Sequence, residues 1–232
     1  MILKKWEKLP EFLKNKEVEK YYTILKKKQL QLFLKRILDI ILALLLLFFL
    51  SPIFVIIAIA IKIDSKGPVF YRQERVTQYG RLFRIFKFRT MIQDADKKGI
   101  LVTIGEDSRI TNVGKRIRKY RIDEIPQLIN VLIGDMSFVG TRPEVKKYVD
   151  CYTNEMNATL LLPAGITSRA SIEFKDEDKM ISEYLNKGEK VDDIYVKRIL
   201  PEKMKWNLTY IEEFSLIEDV KIDIQTVIKV GK

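Results

Sequence analysis

The chain has 232 residues, of which 47% are hydrophobic and 31% are charged, and its formal net charge is +11. It contains no histidine, which excludes the commonest general base and the commonest zinc ligand. Its single cysteine, Cys151, excludes an intrachain disulfide and a cysteine-rich metal site. Any chemistry must therefore come from carboxylates, lysine, arginine, tyrosine or a hard metal ion.

The positive charge lies in the first half of the chain. Residues 62–122 carry 16 basic and 6 acidic side chains, whereas residues 123–232 carry 15 basic and 20 acidic ones. An excess of this kind is typical of proteins that meet anionic lipid head groups, phosphates or nucleic acid.

Residues 1–36 are interpreted as a basic amphipathic N-terminal arm. Leucines and phenylalanines recur there among 11 basic residues, and Pro10 interrupts the first part. A basic helix with an apolar stripe favours the membrane interface. A solvated, partly ordered tail fits the same residues, and the sequence leaves both open.

Residues 37–63 are the predicted membrane element. From Ile40 to Ile61 there is no charge over 22 residues, which is long enough to cross a bilayer. Ser51-Pro52 lies at the centre, where proline kinks or breaks a helix. Basic residues flank both ends, and such flanks mark the cytoplasmic side. We expect a re-entrant helix-break-helix hairpin that is retained and not cleaved; a single span with a tolerated proline is the alternative.

Residues 64–232 are predicted to form a cytoplasmic domain. Two short strands, VFYRQERV and LFRIFKF, predict a β-hairpin around Tyr79-Gly80. Basic and then apolar helices are expected over 109–121 and 124–133, and apolar stripes near the end predict interfacial amphipathic helices. The fold class is therefore α+β and mostly helical.

Asp123-Glu124 is the main candidate for chemistry. Pro126 is tolerated only in the first turn of a helix, so it places a helix start close to Asp123. An aspartate there accepts backbone N–H bonds, and Arg118 and Arg121 are nearby, so we expect it to be held ionised. Such a carboxylate can ligate Mg2+ or attack phosphorus. Plain helix capping is the alternative reading.

Basic side chains are the candidates for binding phosphate, because the guanidinium fork matches phosphate oxygens. A basic face turned towards lipid head groups would use the same residues, and the spacing does not decide between the two. The candidates are Lys87, Arg89, Arg118, Arg121 and Arg142.

The chain resembles the bacterial polyprenyl-phosphate sugar-phosphate transferases, the monotopic phosphoglycosyl transferases that initiate glycan assembly. The resemblance rests on KRILDIILA with the central Ser-Pro, FYRQERV, FKFRTM, RKYRIDEIPQLINVLIGDMSFVG followed by RPE, and PAGIT. These motifs run from about Lys35 to Thr167, with a weaker match near the end. The chain is similar to the short form of the family.

The resemblance implies a reaction at the cytoplasmic face of the bacterial inner membrane. A UDP-sugar and polyprenyl (undecaprenyl) phosphate would yield a polyprenyl diphosphate sugar and UMP, as in capsule, O-antigen or exopolysaccharide synthesis. Asp123 would form a covalent phosphosugar intermediate and touch Mg2+, with Glu124 assisting. The basic groups of the family fall on Lys87, Arg118 and Arg142, and the re-entrant break falls on Ser51 and Pro52.

Three departures from the family pattern stand out. Thr77 and Thr141 replace a frequent glycine and a frequent proline, and residues 163–178 read PAGITSRASIEFKDED in place of a continuation as Pro-Gly-Ile-Thr-Gly-Trp-Ala-Gln. The last departure leaves the sugar undetermined, and the sequence does not decide whether Asp94, Asp96 or Asp135 contacts the metal.

Two other functions compete with a transferase. A non-catalytic membrane-surface scaffold would recruit downstream glycosyltransferases through the acidic half of the chain. A membrane-tethered nucleic-acid binder would use the interleaved aromatic and basic residues of RLFRIFKFR. We expect no nucleic-acid partner, because the Asp123-Glu124 motif and its cations point to the transferase.

Overall fold

The computed structural model describes residues 3–95, 107–174, 177–185 and 188–230. Within these ranges the chain is mostly helical, with two small sheets, as the α+β prediction requires. The helices are α1 (Lys16–Lys27), α2 (Gln29–Asp64), α3 (Asn112–Lys119), α4 (Gln127–Ile133), α5 (Lys146–Val149), α6 (Arg169–Glu173), α7 (Glu177–Leu185), α8 (Val191–Ile194), α9 (Leu200–Glu213) and α10 (Leu216–Val230). A π-helical turn, Tyr195–Ile199, joins α8 to α9.

The two sheets have two strands each. Strands β1 (Phe70–Val76) and β2 (Leu82–Phe88) pair antiparallel, with Phe70 opposite Phe88, which confirms the predicted β-hairpin. Strands β3 (Met136–Val139) and β4 (Ala164–Thr167) pair in parallel and were not predicted. A parallel pair needs a long connection, and here the chain between the two strands contains α5 and a 3-10 segment, Met156–Leu161.

Helix α2 contains the whole apolar segment. Among the described residues it is the one helix that is long and apolar enough to cross a membrane. Its most apolar stretch of 18 residues has a mean hydropathy of 3.2, and 11% of that stretch is buried. The most exposed apolar side chains near its centre are Phe48 and Phe49, at 73% and 69%. Helix α2 therefore presents a large apolar surface that the described domain does not cover.

The predicted break at Ser51-Pro52 is absent, because α2 continues through both residues. Proline lacks the N–H that would bond to the carbonyl four residues earlier, here that of Phe48. The Ser51 hydroxyl donates to this Phe48 oxygen at 2.8 Å. The serine thus satisfies the acceptor that Pro52 leaves open, and the helix can continue.

Residues of the N-terminal arm pack into the main core, whereas the sequence left a choice between the membrane interface and a solvated tail. Leu13, Val18 and Leu25 are fully buried and belong to one apolar cluster with Leu161 and Phe214. The Lys28 ammonium adds a hydrogen bond to the backbone oxygen of Phe214 at 2.6 Å. The apolar stripe of the arm is therefore covered by the 3-10 segment and by the end of α9.

Candidate active site

The dyad Asp123-Glu124 lies in a 3-10 turn, Ile122–Glu124, between α3 and α4. Arg121 adopts a left-handed backbone with a φ of 53°, and this reverses the chain before the dyad. Pro126 precedes the first residue of α4 and has an αR backbone. The sequence correctly placed a helix start near the dyad, but the α-helix itself begins after Pro126 and not at Asp123.

Glu124 is the anionic centre of a cluster of ion pairs. Its Oε1 accepts from Lys87 Nζ at 2.8 Å and from Arg142 Nη2 at 2.7 Å, and its side chain is 12% exposed. Burial by itself would raise the pKa of Glu124, but Arg142 and Lys87 outweigh burial and hold that pKa well below its usual range. Glu124 is therefore held in its ionised form.

Asp123 behaves in the opposite way. Burial raises the pKa of its carboxyl, the neighbouring charge of Glu124 raises it further, and Lys87 and Arg118 act against them. The helix start and the nearby arginines were expected to favour the ionised form of Asp123, but the net shift of its pKa is upward, because burial and Glu124 outweigh them. Among the described residues Asp123 forms no ion pair, so its carboxylate is available to a ligand.

Asn130 fixes the distance between the dyad and Lys87. It is fully buried on α4, its Oδ1 accepts from the backbone N–H of Phe86, and its Nδ2 donates to the backbone oxygen of Arg84. Side-chain bonds to two backbone groups of β2 hold α4 against the strand that carries Lys87. Lys87 therefore meets Glu124, although 37 residues separate them in sequence.

The loop between β3 and α5 presents Arg142. Gly140 and Gly165 approach so closely that a Cβ on Gly140 would lie 2.6 Å from the oxygen of Pro163. The loop backbone is bonded on both sides, since Gly165 N donates to Thr141 O at 2.9 Å and Arg75 Nη1 donates to Pro143 O at 3.4 Å. Arg142 therefore projects from a loop whose backbone is held by hydrogen bonds.

Two of the other three predicted cations, Arg118 and Arg89, have different surroundings. Arg118, near the end of α3, lines the same cavity as the dyad, and its charge lowers the pKa of Asp123. Arg89 also lines the cavity, but its Nη2 donates to the backbone oxygen and the hydroxyl of Ser65 at 2.7 and 2.9 Å. Arg89 therefore ties β2 to the end of α2 and does not join the Glu124 cluster.

A cavity of about 1710 Å³ opens in front of the dyad. Leu46 and Leu50 of α2 contribute to its wall, whereas Ser51 and Pro52 do not. Several residues of the cavity wall could not be identified from the sequence, because they become neighbours only in the fold. One signal for them was present, since the motif FYRQERV contains the basic residue Arg75. The missed residues include Leu46, Leu50, Arg75, Phe138, Ile166, Thr167, Ser171, Thr226 and Val227.

The acidic side chains near the cavity limit how a metal ion could be bound. Within the described ranges no group of three or more His, Cys, Asp or Glu side chains could hold a metal. Asp135 pairs with Arg81 at 2.8 Å and is absent from the cavity wall, whereas Asp94 lies on the wall. Asp96 lies outside the described residues. Mg2+ commonly takes one or two carboxylates and completes its shell with substrate phosphates, and Asp123 fits that role.

Comparison with known proteins identifies the family of this chain. Residues 30–232 match the bacterial sugar transferase family, and the chain belongs to that family.

Three relatives illustrate the range of the family. The chain is 37% identical over 198 residues to a UDP-N-acetylgalactosamine-undecaprenyl-phosphate N-acetylgalactosaminephosphotransferase of Aeromonas hydrophila, covering 84% of this chain and 43% of that one. It is 36% identical over 200 residues to a UDP-glucose:undecaprenyl-phosphate glucose-1-phosphate transferase of Escherichia coli (strain K12), covering 84% and 40%. It is 33% identical over 197 residues to the uncharacterized sugar transferase EpsL of Bacillus subtilis (strain 168), covering 85% and 87%.

The chain thus spans about two fifths of the length of the first two relatives and most of the third. Their printed names give different sugars, N-acetylgalactosamine and glucose, at nearly equal identity to this chain. Overall identity therefore does not select a sugar.

Proposed function

We propose that the protein transfers a sugar 1-phosphate from a UDP-sugar to polyprenyl phosphate, giving a polyprenyl diphosphate sugar and UMP. The observation that carries this proposal is an Asp123 carboxylate without an ion pair among the described residues, facing a cavity whose wall also holds Lys87, Arg118 and Arg142. Relatives that match most of this chain are named for such transfers.

In the first step, an Asp123 oxygen attacks the phosphorus that bears the sugar. A bond forms between that oxygen and phosphorus, the bond from phosphorus to the bridging oxygen breaks, and UMP leaves with the electron pair. Lys87 and Arg142 would bind the diphosphate oxygens, because charged donors bind phosphate strongly. The product is a phosphosugar ester on Asp123.

In the second step, an oxygen of the polyprenyl phosphate attacks the same phosphorus. The new bond completes a diphosphate, the bond to Asp123 breaks, and the carboxylate is restored. The apolar part of the cavity wall, with Leu46 and Leu50, suits an acceptor that carries a hydrocarbon chain. No oxidant or reductant is needed in either step.

Mg2+ is proposed as the cofactor, held by Asp123 and by the diphosphate oxygens, where it would supply further neutralisation of phosphate charge. Glu124 is less suited to bind it, since its Oε1 already accepts from two cations. The role of Glu124 is then to keep Lys87 and Arg142 in place beside Asp123.

Release of UMP tests the proposed reaction directly. Purified protein in nanodiscs is incubated with Mg2+, undecaprenyl phosphate and a panel of UDP-sugars. We expect UMP from at least one donor and, without acceptor, a burst of at most one UMP per enzyme. Folded protein that releases no UMP with any donor would favour the alternative of a membrane-surface scaffold for downstream glycosyltransferases.

We propose that α2 is re-entrant, bent at Pro52 while remaining helical, and that both its ends lie at the cytoplasmic face of the inner membrane, with 1–36, 37–63 and 64–232 as arm, membrane element and catalytic domain. Near its start, Arg36 donates to the backbone oxygens of Val131 and Leu132 at 2.6 and 2.9 Å. At its end, the Asp64 carboxylate accepts from Val113 N at 2.8 Å. A spanning helix has its ends on opposite faces, whereas these two ends contact one domain.

Cysteine labelling tests this topology. In a Cys151→Ala background, exposed Lys27 and Lys66 are each replaced by cysteine and treated with a membrane-impermeant maleimide in inverted membrane vesicles. Both variants should label fully without permeabilisation, because both sites lie on the outer face of such vesicles. Labelling at one site alone would show that α2 crosses the membrane.

A further inference from the structure

A second buried charge cluster lies behind the loop that carries Arg142. The Glu144 carboxylate accepts a hydrogen bond from the Tyr195 hydroxyl at 2.5 Å, and Lys203 Nζ lies 3.4 Å from the same oxygen. The Lys203 ammonium also donates to the Tyr195 hydroxyl at 2.9 Å. Glu144, Tyr195 and Lys203 are only 6%, 5% and 4% exposed, so this cluster is separated from solvent.

The cluster is tied to the loop but not to the cavity. Glu144 follows Arg142 by two residues, and its backbone oxygen accepts from Val76 N at 3.0 Å. Arg142 lies on the cavity wall and pairs with Glu124, whereas Glu144, Tyr195 and Lys203 are not among the wall residues. The loop therefore joins two charged clusters, one on the cavity and one in the interior.

Electrostatics keep Glu144 ionised. Burial would raise the pKa of Glu144, but Lys203, the Tyr195 hydrogen bond and the arginines Arg75 and Arg142 outweigh burial and lower that pKa. A buried ion pair seldom adds net stability compared with apolar side chains of similar size. Stability alone therefore gives no reason for a lysine and a glutamate here.

The helical segment that supplies the cluster is also irregular. Tyr195 opens the π-helical turn Tyr195–Ile199, and its ring stacks on Tyr148 with centroids 4.3 Å apart. Single π-helical turns inside α-helices occur frequently at functional sites. Here the turn begins at Tyr195, whose hydroxyl contacts both Glu144 and Lys203. One side chain therefore holds both of these residues.

We infer that Lys203 and Tyr195 are positioning residues for the transfer reaction. They hold Glu144, and through it the loop, so that the Arg142 guanidinium stays on Glu124 and faces the diphosphate of the donor. The inference rests on the proposed function in one respect, the binding of a nucleoside diphosphate by Arg142. It assigns a role in the site to the segment from α8 to α9, which lies about 50 residues after Arg142.

Replacing Lys203 tests the role. For Lys203→Met we expect UDP to bind about tenfold more weakly and kcat/KM to fall by about tenfold or more, within the coupling range of contacting residues. Lys203→Arg should recover most of both, because it restores the charge. Lys205→Met is the matched control on α9, since Lys205 is 69% exposed and pairs with Glu202, and it should equal wild type.

A double-mutant cycle separates positioning from a loss of stability. If Lys203 acts through Arg142, Lys203→Met should change UDP affinity little in an Arg142→Ala background. Additive losses in the double variant would overturn the inference. A further variant, Glu144→Gln with Lys203→Met, removes both buried charges and should melt near the wild-type temperature while still binding UDP weakly; wild-type affinity in that protein would also overturn the inference.

UDP binding, measured by calorimetry in detergent, distinguishes this inference from the proposed reaction. If wild type binds UDP but releases no UMP from any donor, the reaction fails and the affinities still test the inference. If wild type releases UMP and Lys203→Met matches it in both assays, the inference alone fails. Wild type without affinity for UDP would overturn both.

Discussion

Replacing Asp123 by alanine is expected to abolish UMP release, with kcat lowered by at least about 10⁴-fold, a loss typical of removing a covalent nucleophile. Alanine cannot attack phosphorus, and Glu124 cannot substitute for Asp123, because its Oε1 is engaged by Lys87 and Arg142. The measurement is single-turnover UMP release without acceptor, where wild type gives a burst and the variant none. A full burst from Asp123→Ala would place the nucleophile elsewhere.

The melting temperature of a second variant without the carboxylate, Asp123→Asn, provides the stability control. The folded state raises the pKa of Asp123, mainly by burial. An ionised group with a raised pKa destabilises the folded state at pH values above that pKa, and the effect disappears below the pKa of the unfolded chain. Asp123→Asn should therefore melt above wild type at neutral pH and at nearly the same temperature near pH 3. A lower melting temperature at neutral pH would mean that lost activity reflects lost structure.

Local sequence patterns predicted the parts of the fold whose partners are close in the chain. The β-hairpin followed from alternation around Tyr79-Gly80, and the antiparallel pairing of β1 with β2 confirmed it. The pairing of β3 with β4 did not follow, since 24 residues separate Val139 from Ala164 and each strand has four residues. Thr77, where the family often has glycine, bridges the two sheets by donating to Asp135 O at 2.6 Å and accepting from Ala164 N.

The candidate site was predictable as a set of residues but not as an electrostatic arrangement. The motif containing Asp123 and Glu124 identified the dyad, and the basic residues predicted to bind phosphate all line the cavity beside it. Which carboxylate has the lowered pKa depends on Lys87 and Arg142, which are distant in sequence and meet Glu124 only in the fold. The arginines nearest to Asp123 in the sequence do not indicate this, and the pKa of Asp123 is raised.

In the apolar segment, a neighbouring side chain offsets the effect that a proline normally has on a helix. Proline in a helix interior predicts a break, yet α2 continues because the Ser51 hydroxyl bonds to the carbonyl that Pro52 leaves without a partner. The proposed re-entrant topology, in contrast, is supported by tertiary contacts of Arg36 and Asp64. Flanking charge indicates the same topology, but a sequence pattern does not reveal those contacts.

Opposite shifts of the pH dependence are expected when the two neighbours of Asp123 are changed. The charge of Glu124 raises the pKa of Asp123 and that of Lys87 lowers it. Because the nucleophile must be ionised, activity should fall as the pH drops through this pKa. Glu124→Gln should move the acid limb of kcat/KM to lower pH, and Lys87→Met should move it to higher pH.

Both variants should also lose activity at the optimum, by at least about 30-fold, because removing one partner of a buried charge pair costs about 2–5 kcal/mol. Glu124→Gln releases Lys87 and Arg142 from a common acceptor, whereas Lys87→Met leaves Arg142 on Glu124. Glu124→Asp is the matched control, since it keeps the charge and should keep the acid limb near that of wild type. If both limbs moved in the same direction, Asp123 would not be the group whose ionisation limits the reaction, and the assignment of the nucleophile would fail with it.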